Sequence, residues 1–428
     1  MIKRGNTMKQ KKSNWTKLDN ASKYFPAVAN NKDTKVFRLA CELYEDVDPN
    51  ILQKALDLSL ESFPLFKSVL RRGLFWYYFE LSDIKPIVEL ESKALCAPIY
   101  FKDRRNLLFR VSYYNKRINL EVFHALSDGA GAFWFMENLI YHYMIIKYRE
   151  RFEGKIPPLN PKASISQKMD DSFGKNYSRE LRKNNGNKEK KTKAYLIKGT
   201  RNEENRTKLV EGSMSAKAVL ELAHEYKTTL TVFLTSLLFY SIYKDMPVNK
   251  RKRPVVLSVP INLRQYYESK TARNFFSTMN ISYDFKNNSS NFNEIVAKVG
   301  EEFKKRLTKE QLDKQLIHFM SIERNLLARI VPLSLKDLVI QIADKLGEKK
   351  ITSSISNVGK VVLNEEFKDY IKQFSVCVSA RRPQVTLCSY EDNLVISFTS
   401  PFEETDIHKN FFQFLSERGI EVQITSNL

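Results

Sequence analysis

The sequence is poor in the residues from which metal sites and disulfide frameworks are built. Its 428 residues include five histidines and four cysteines. The cysteines, Cys41, Cys96, Cys377 and Cys388, are far apart and lack the close spacing of metal ligands. We therefore expect four buried, unpaired thiols and no bound metal.

Long apolar segments are also lacking. The most apolar predicted helix, at residues 133–146, is interrupted by Glu137, Asn138 and His142, so it does not have the composition of a membrane span. Residues 1–13 are basic and polar and contain no apolar core of a secretory signal, so we expect a loose tail and a cytoplasmic protein.

Acidic residues are few relative to basic ones. There are 49 Asp and Glu against 70 Lys and Arg, which gives a net charge of +21. Such an excess indicates an anionic partner (nucleic acid, a phospholipid surface in peripheral contact, or a phosphate-bearing co-substrate) or else a solvated, lysine-rich surface. The patterns of helix-turn-helix, zinc-finger, RRM and KH modules are missing, which argues against specific nucleic-acid binding.

Hydrophobic patterning predicts alternating strands and helices, and so an α/β fold. In the first half, the predicted elements are a strand at 35–43, a helix starting at Asp48 and Pro49, strands at 74–81, 107–114 and 117–123, and a helix at 132–148. In the second half, they are helices at 215–226, 231–243, 292–331 and 406–418, and strands at 255–261, 278–285, 351–356, 374–379, 385–389, 394–399 and 420–424. We predict one unit at residues 14–177, a charged linker at 178–206 and a second unit at 207–428.

One stretch carries the clearest chemical signal. Residues 123–131 read FHALSDGAG and connect a predicted strand to a predicted helix. A histidine at the end of a strand can project into a cleft, where a neutral imidazole can act as a base. We expect Asp128 to hold the local backbone, and Gly129 and Gly131 to adopt backbone angles that other residues resist.

The segment HALSDG matches the HxxxDG signature, and the chain thereby resembles the chloramphenicol-acetyltransferase-like superfamily. The segments WTKLD (15–19), VPINLR (259–264), TARNFF (271–276) and SNVG (356–359) extend the resemblance over most of the chain. It is greatest to the alcohol acetyltransferases and the condensation domains of peptide synthetases. The DFGWG motif of the plant-type enzymes is missing.

The resemblance implies a two-lobed fold, in which mixed sheets are flanked by helices and an active-site channel runs between the lobes. It also implies that His124 is the general base. Asp128 is expected to turn away from the imidazole and to pair with Arg264 or Arg273, as a structural anchor. The alternative is a catalytic triad, in which Asp128 orients the imidazole directly.

Two further groups of residues could take part in the reaction or could have only a structural role. Side-chain donors at predicted strand ends could stabilise an oxyanion or could simply form turns; they are Asn262, Ser356 and Asn357. A basic run could bind the phosphates of coenzyme A or could be a solvated loop; it consists of Lys250, Arg251, Lys252 and Arg253.

The sequence therefore predicts a monomeric acyltransferase without a permanently bound cofactor. It would transfer an acyl group, acetyl in the first instance, from acyl-coenzyme A to a small alcohol or amine. One alternative is a condensation-like enzyme that takes its acyl group from a carrier protein. The other is a catalytically silent binding protein of the same fold.

Overall fold

The structure is a computed structural model that describes residues 15–152, 154–159, 164–176, 193–324 and 329–427. Its helices are α1 (Tyr24–Val28), α2 (Pro49–Ser62), α3 (Gly129–Lys147), α4 (Ile165–Lys168), α5 (Ser172–Lys175), α6 (Ala216–Glu225), α7 (Leu230–Asp245), α8 (Phe292–Arg306), α9 (Lys309–Arg324), α10 (Leu333–Glu348) and α11 (Asp406–Ser416). Its strands are β1 (Trp15–Lys17), β2 (Val36–Leu43), β3 (Ser68–Arg72), β4 (Tyr77–Leu81), β5 (Glu89–Leu90), β6 (Phe109–Tyr114), β7 (Arg117–Phe123), β8 (Lys208–Ser215), β9 (Val255–Asn262), β10 (Phe276–Tyr283), β11 (Ser353–Val361), β12 (Ile371–Val378), β13 (Gln384–Tyr390), β14 (Asn393–Ser400) and β15 (Gln423–Ser426). The predicted tail at residues 1–13 and residues 178–192 of the predicted linker lie outside the described residues.

A five-stranded sheet organises the first lobe, in the order β12-β2-β7-β6-β5. Its pairs are antiparallel except for β5 with β6. The outer strand β12 comes from the second half of the chain and pairs along almost the whole of β2. Helix α3 is apolar on most of its surface because it is buried against α2 and this sheet.

A seven-stranded sheet organises the second lobe, in the order β10-β9-β11-β13-β14-β8-β15. Strand β11 runs parallel to both of its neighbours, and the other pairs are antiparallel. Helix α7 is buried in this lobe along most of its length. A third, small sheet has the order β1-β4-β3.

The described side chains form two hydrophobic cores, one for each lobe. Phe66 stacks on Phe135 in the first core, and Phe233 packs edge-on against Phe292 in the second. The expected two-lobed α/β architecture is confirmed. All four cysteines are buried and unpaired, as predicted.

One predicted element is wrong, and several elements, among them β8 and α10, were not predicted. The single helix at 292–331 is interrupted after Arg306, because Thr308 starts a new helix by accepting a hydrogen bond from the Gln311 amide at 3.4 Å. Strand β8 was not predicted, because its sequence KLVEGSMS is only weakly apolar. Its Glu211 is buried and accepts a hydrogen bond from Ser397 at 3.0 Å, which makes a polar residue compatible with a central strand.

Candidate active site

His124 lies where the two lobes meet, one residue after β7. Its backbone amide donates to the carbonyl of Lys35 at 2.9 Å, which continues the strand pairing past the end of β7. The imidazole stacks on Phe25 with ring centroids 4.3 Å apart, and the rings of Phe37 and Phe276 pack against it. Three aromatic rings therefore fix the plane of the imidazole.

Asn274, on the second lobe, sets the hydrogen bonding of the imidazole. Its amide nitrogen donates to the carbonyl of His124 at 2.9 Å and to Ser22 Oγ at 3.0 Å. The Ser22 hydroxyl itself donates to the Asp19 carboxylate at 2.6 Å, so it can only accept from Asn274. Asn274 Oδ1 therefore faces His124 Nδ1 at 3.2 Å, and we assign the ring proton to Nδ1. Nε2 is left with a free electron pair, as a general base requires.

The pKa of His124 is lowered from its usual value of 6.5. Burial is the main cause, because it disfavours the charged imidazolium. A hydrogen bond to its own carbonyl, the charge of Asp128 and the hydrogen bond to Asn274 oppose the shift in part. The ring is therefore neutral at pH 7.

Asp128 forms a buried ion pair with Arg264. The guanidinium donates to both carboxylate oxygens, with Nη1 2.8 Å from Oδ2 and Nη2 3.1 Å from Oδ1. The backbone amides of Gly131 and Phe275 complete the shell at 3.0 and 2.8 Å. These four hydrogen bonds direct the carboxylate to the second lobe and to the first turn of α3, and none of them comes from the imidazole.

Arg273 has a different partner from the one considered in the sequence. Its Nε lies 3.5 Å from Asp19 Oδ2, and its Nη2 donates to the carbonyl of Lys17 at 2.6 Å. Arg273 therefore connects the segment before α1 to the second lobe, and only Arg264 pairs with Asp128. The sequence did not single out Asp19 and Ser22. Asp19 accepts a hydrogen bond from Ser22, and Ser22 accepts one from Asn274.

The two glycines of the motif do not have the unusual backbone angles expected for them. Neither Gly129 nor Gly131 has a positive φ. Gly131 is instead required by close packing, because a Cβ there would lie 2.0 Å from the carbonyl oxygen of Ala272. At Gly129 the nearest atom, Val358 Cγ1, would be 3.5 Å away, so a small side chain fits there.

The asparagines proposed as oxyanion donors are engaged locally. Asn262 Oδ1 accepts from the Arg264 amide at 3.1 Å and from its guanidinium at 3.2 Å. Asn357 donates to Thr231 at 2.9 Å and accepts from the amide of Gly359, whose φ of +99° marks a bulge in β11. Both therefore favour the turn interpretation, and the half-buried Ser356 stays a candidate donor.

The basic run of Lys250, Arg251, Lys252 and Arg253 precedes β9, whereas Asn262 ends that strand. Eight residues of strand span about 26 Å, so the structure does not bring these side chains to His124. Arg251 lies over the ring of Tyr243 at 4.3 Å. The binding of donor phosphates by this run stays a prediction.

A cavity of about 580 Å³ lies between α1 and α10, and His124 and Asn274 are not among the residues that line it. Pro26 and Ala27, which follow the Phe25 that stacks on His124, are in its wall, and so is Thr34, next to Lys35. Tyr77 and Tyr100 line another part of the wall. This cavity is large enough for a small acceptor. Among the described residues, no group of three or more His, Cys, Asp or Glu side chains is placed to hold a metal ion.

Known structures of similar architecture cover nearly the whole chain. Polyketide synthase associated protein 5 from Mycobacterium tuberculosis matches with a TM-score of 0.61 and 13% identity, over 94% of this chain and 97% of that chain. The trichothecene 15-O-acetyltransferase TRI3 from Fusarium sporotrichioides matches with a TM-score of 0.63 and 8% identity, over 94% of each chain. A mutant starter condensation domain of rhizomide synthetase, in complex with C8-CoA, matches with a TM-score of 0.61 and 12% identity, again over 94% of each.

The chain has the chloramphenicol-acetyltransferase-like fold. At these identities the similarity is one of fold, and no family model and no curated protein sequence matches the chain. The matched structures include both an acetyltransferase and a condensation domain. In this chain, the junction of the two lobes of that fold holds His124, Asn274 and the Asp128–Arg264 pair.

Proposed function

We propose that this protein is an acyltransferase that moves an acyl group, acetyl in the first instance, from acyl-coenzyme A to a small alcohol or amine. The observation that carries the proposal is the orientation of Asn274, which leaves Nε2 of a neutral His124 unprotonated. The acyltransferase-type fold and the C8-CoA complex of one structural neighbour support the choice of reaction and of donor.

The proposed reaction is a direct transfer. The acceptor hydroxyl or amine gives its proton to His124 Nε2 while its oxygen or nitrogen attacks the thioester carbonyl carbon. The resulting tetrahedral intermediate collapses with cleavage of the carbon–sulfur bond. The leaving thiolate takes the proton back from Nε2. No acyl-enzyme is formed, and the imidazole ends as it began.

Asn274 and Asp128 have different parts in this proposal. Asn274 stabilises the imidazolium that forms in the transition state, because its Oδ1 accepts the Nδ1 proton. Asp128 and Arg264 keep the strand-to-helix connection in place against the second lobe. Ser356 is the proposed oxyanion donor, since it lies on β11, the strand whose Val358 faces Gly129 in the first turn of α3.

The test is release of free thiol from acetyl-coenzyme A in the presence of a panel of alcohols and amines. His124→Ala should lower kcat by about 10²–10⁴-fold, the usual contribution of a general base, with little change in Tm. His142→Ala is the matched control, because His142 is a partly buried histidine of α3 that does not belong to the site. Equal turnover by wild type and His124→Ala would refute the mechanism.

The donor is tested separately. Acetyl-coenzyme A should be a better donor than acetyl-pantetheine, which lacks the nucleotide phosphates. If the basic run binds those phosphates, neutralising Lys250, Arg251, Lys252 and Arg253 should raise KM for the donor more than it lowers kcat. Transfer from an acylated carrier protein but not from acetyl-coenzyme A would identify a condensation-like enzyme instead.

A further inference from the structure

Helix α10 is amphipathic in the reverse of the usual sense, because its acidic side chains face the protein. Asp337 accepts a hydrogen bond from Tyr77 at 2.7 Å and is buried. Asp344 forms an ion pair with Arg381 at 2.7 Å, and Glu348 forms one with Arg382 at 2.5 Å. At about 100° per residue these three acids fall within about 40° of one another on the helix. The inner side of α10 is therefore polar, and each of its three acids has a partner in the body of the protein.

The opposite side of α10 is apolar and exposed. Its side chains are between 51% and 65% exposed; they are Leu335, Leu338, Val339, Ile342 and Leu346. They fall within an arc of about 100°, so they form one continuous stripe along the helix. A helix of a soluble protein normally turns such a stripe to the core. We call these five residues the α10 stripe.

The turn between β3 and β4 extends the apolar surface at the start of α10. The amide of Leu333 donates to the carbonyl of Leu74 at 2.8 Å, and Lys336 Nζ donates to the carbonyl of Phe75 at 2.8 Å. Leu74 and Trp76 in this turn have side chains that are 71% and 47% exposed. Tryptophan, with its apolar ring and polar N–H, suits the boundary between lipid and water.

The charge around the stripe is positive. Lys345, Lys349 and Lys350 are exposed at its border and at its C-terminal end. The acids of the helix do not offset them at the surface, since those acids are turned inward and bound to arginine or tyrosine. The whole chain carries +21, so the long-range field also attracts an anionic surface.

We propose that the α10 stripe, with Leu74 and Trp76, docks on an anionic lipid surface, with α10 lying in the plane of the headgroups. An apolar arc bordered by lysines is the pattern of helices that bind membranes peripherally. The described residues contain no helix that is long and apolar enough to cross a bilayer. Leu338 of the stripe also lines the 580 Å³ cavity, so docking brings that cavity next to the lipid.

Co-sedimentation of the full chain with vesicles tests the proposal. The wild type should bind vesicles of phosphatidylcholine and phosphatidylserine (7:3) and bind pure phosphatidylcholine much less. Val339→Asp/Ile342→Asp should reduce binding to the anionic vesicles by about 100-fold, because two apolar side chains no longer enter the lipid. Lys349→Glu/Lys350→Glu should reduce it by at least about fivefold for each lysine removed.

The matched control is Leu58→Asp/Leu220→Asp, which replaces two exposed leucines of α2 and α6 and changes the net charge equally. It should bind as the wild type does, and circular dichroism should show that all variants are folded. The proposal is overturned if the wild type does not bind anionic vesicles. It is also overturned if the stripe variant and the control bind equally, or if the stripe captures an acidic protein without binding vesicles.

Discussion

The hydrogen bond from His124 to Asn274 can be tested by replacing Asn274 with leucine, which has a similar size but no polar atoms. In the proposed transition state the imidazole is charged, and a hydrogen bond to a charged group contributes about 1.5–3 kcal/mol. Its loss should lower kcat by about 10- to 150-fold, which reaches only the lower end of the loss expected for His124→Ala. Steady-state thiol release with acetyl-coenzyme A measures this directly.

The pH dependence separates a catalytic contribution of Asn274 from a purely structural one. The hydrogen bond that His124 donates to Asn274 raises the pKa of His124, so Asn274→Leu should move the acid limb of the kcat/KM profile to lower pH. Ser22→Ala is the matched control. It removes one hydrogen-bond acceptor of Asn274 but leaves the carbonyl of His124 to hold the Asn274 amide in place. The acid limb of the kcat/KM profile should therefore stay at the wild-type pH. If Asn274→Leu retains wild-type kcat and the same limb, the carbonyl of His124 alone orients the ring and our reasoning is wrong.

Three further predictions concern the titration of buried groups and the central ion pair. In the wild type, the acid limb of kcat/KM should have its midpoint below pH 6.5, because burial lowers the pKa of His124; a midpoint above 6.5 would contradict the described environment. Asp128→Ala should destabilise the protein by about 3–5 kcal/mol, measured by urea unfolding, and Asp128→Ala/Arg264→Met should be less destabilised because no buried charge is left unpaired. His408 is buried, and burial lowers its pKa to about 4. The unfolded chain therefore protonates His408 at a higher pH than the folded protein does, and stability is lost as the pH falls from 6.5 to 4. His408→Phe should reduce the drop in Tm between pH 7 and pH 5, and a drop equal to that of the wild type would refute this prediction.

The sequence predicted best where structure is decided locally. Strand β7 has the predicted bounds, and α2 begins as predicted, with Asp48 accepting from the amides of Asn50 and Ile51 before Pro49 starts the helix. The pairing of Asp128 with Arg264 was one of two options, and the resemblance rather than the pattern suggested it. The tertiary structure decides between the two arginines, because Arg273 forms an ion pair with Asp19 instead.

Other features depended on contacts that no local pattern contains. The TARNFF segment was recognised, but Asn274 was not singled out, because an asparagine at the end of a loop is an ordinary turn residue. Its part in the site follows from His124 and Ser22, which are distant in sequence. Helix α10 was missed for a related reason: its apolar stripe and its acidic side both suggest a helix, but the predicted long helix at 292–331 was ended at Pro332 and not resumed.

The pairing of β12 with β2 has a consequence for synthesis on the ribosome. Strand β2 remains an unpaired edge of the first sheet until β12, more than three hundred residues later, has left the exit tunnel. At about 5–20 residues per second, that delay is roughly 20–70 s. During this interval an apolar edge strand is open to pairing with other nascent chains. We therefore expect the yield of native protein to depend on chaperones, and a transcript truncated before residue 371 to give aggregated protein rather than a folded first lobe.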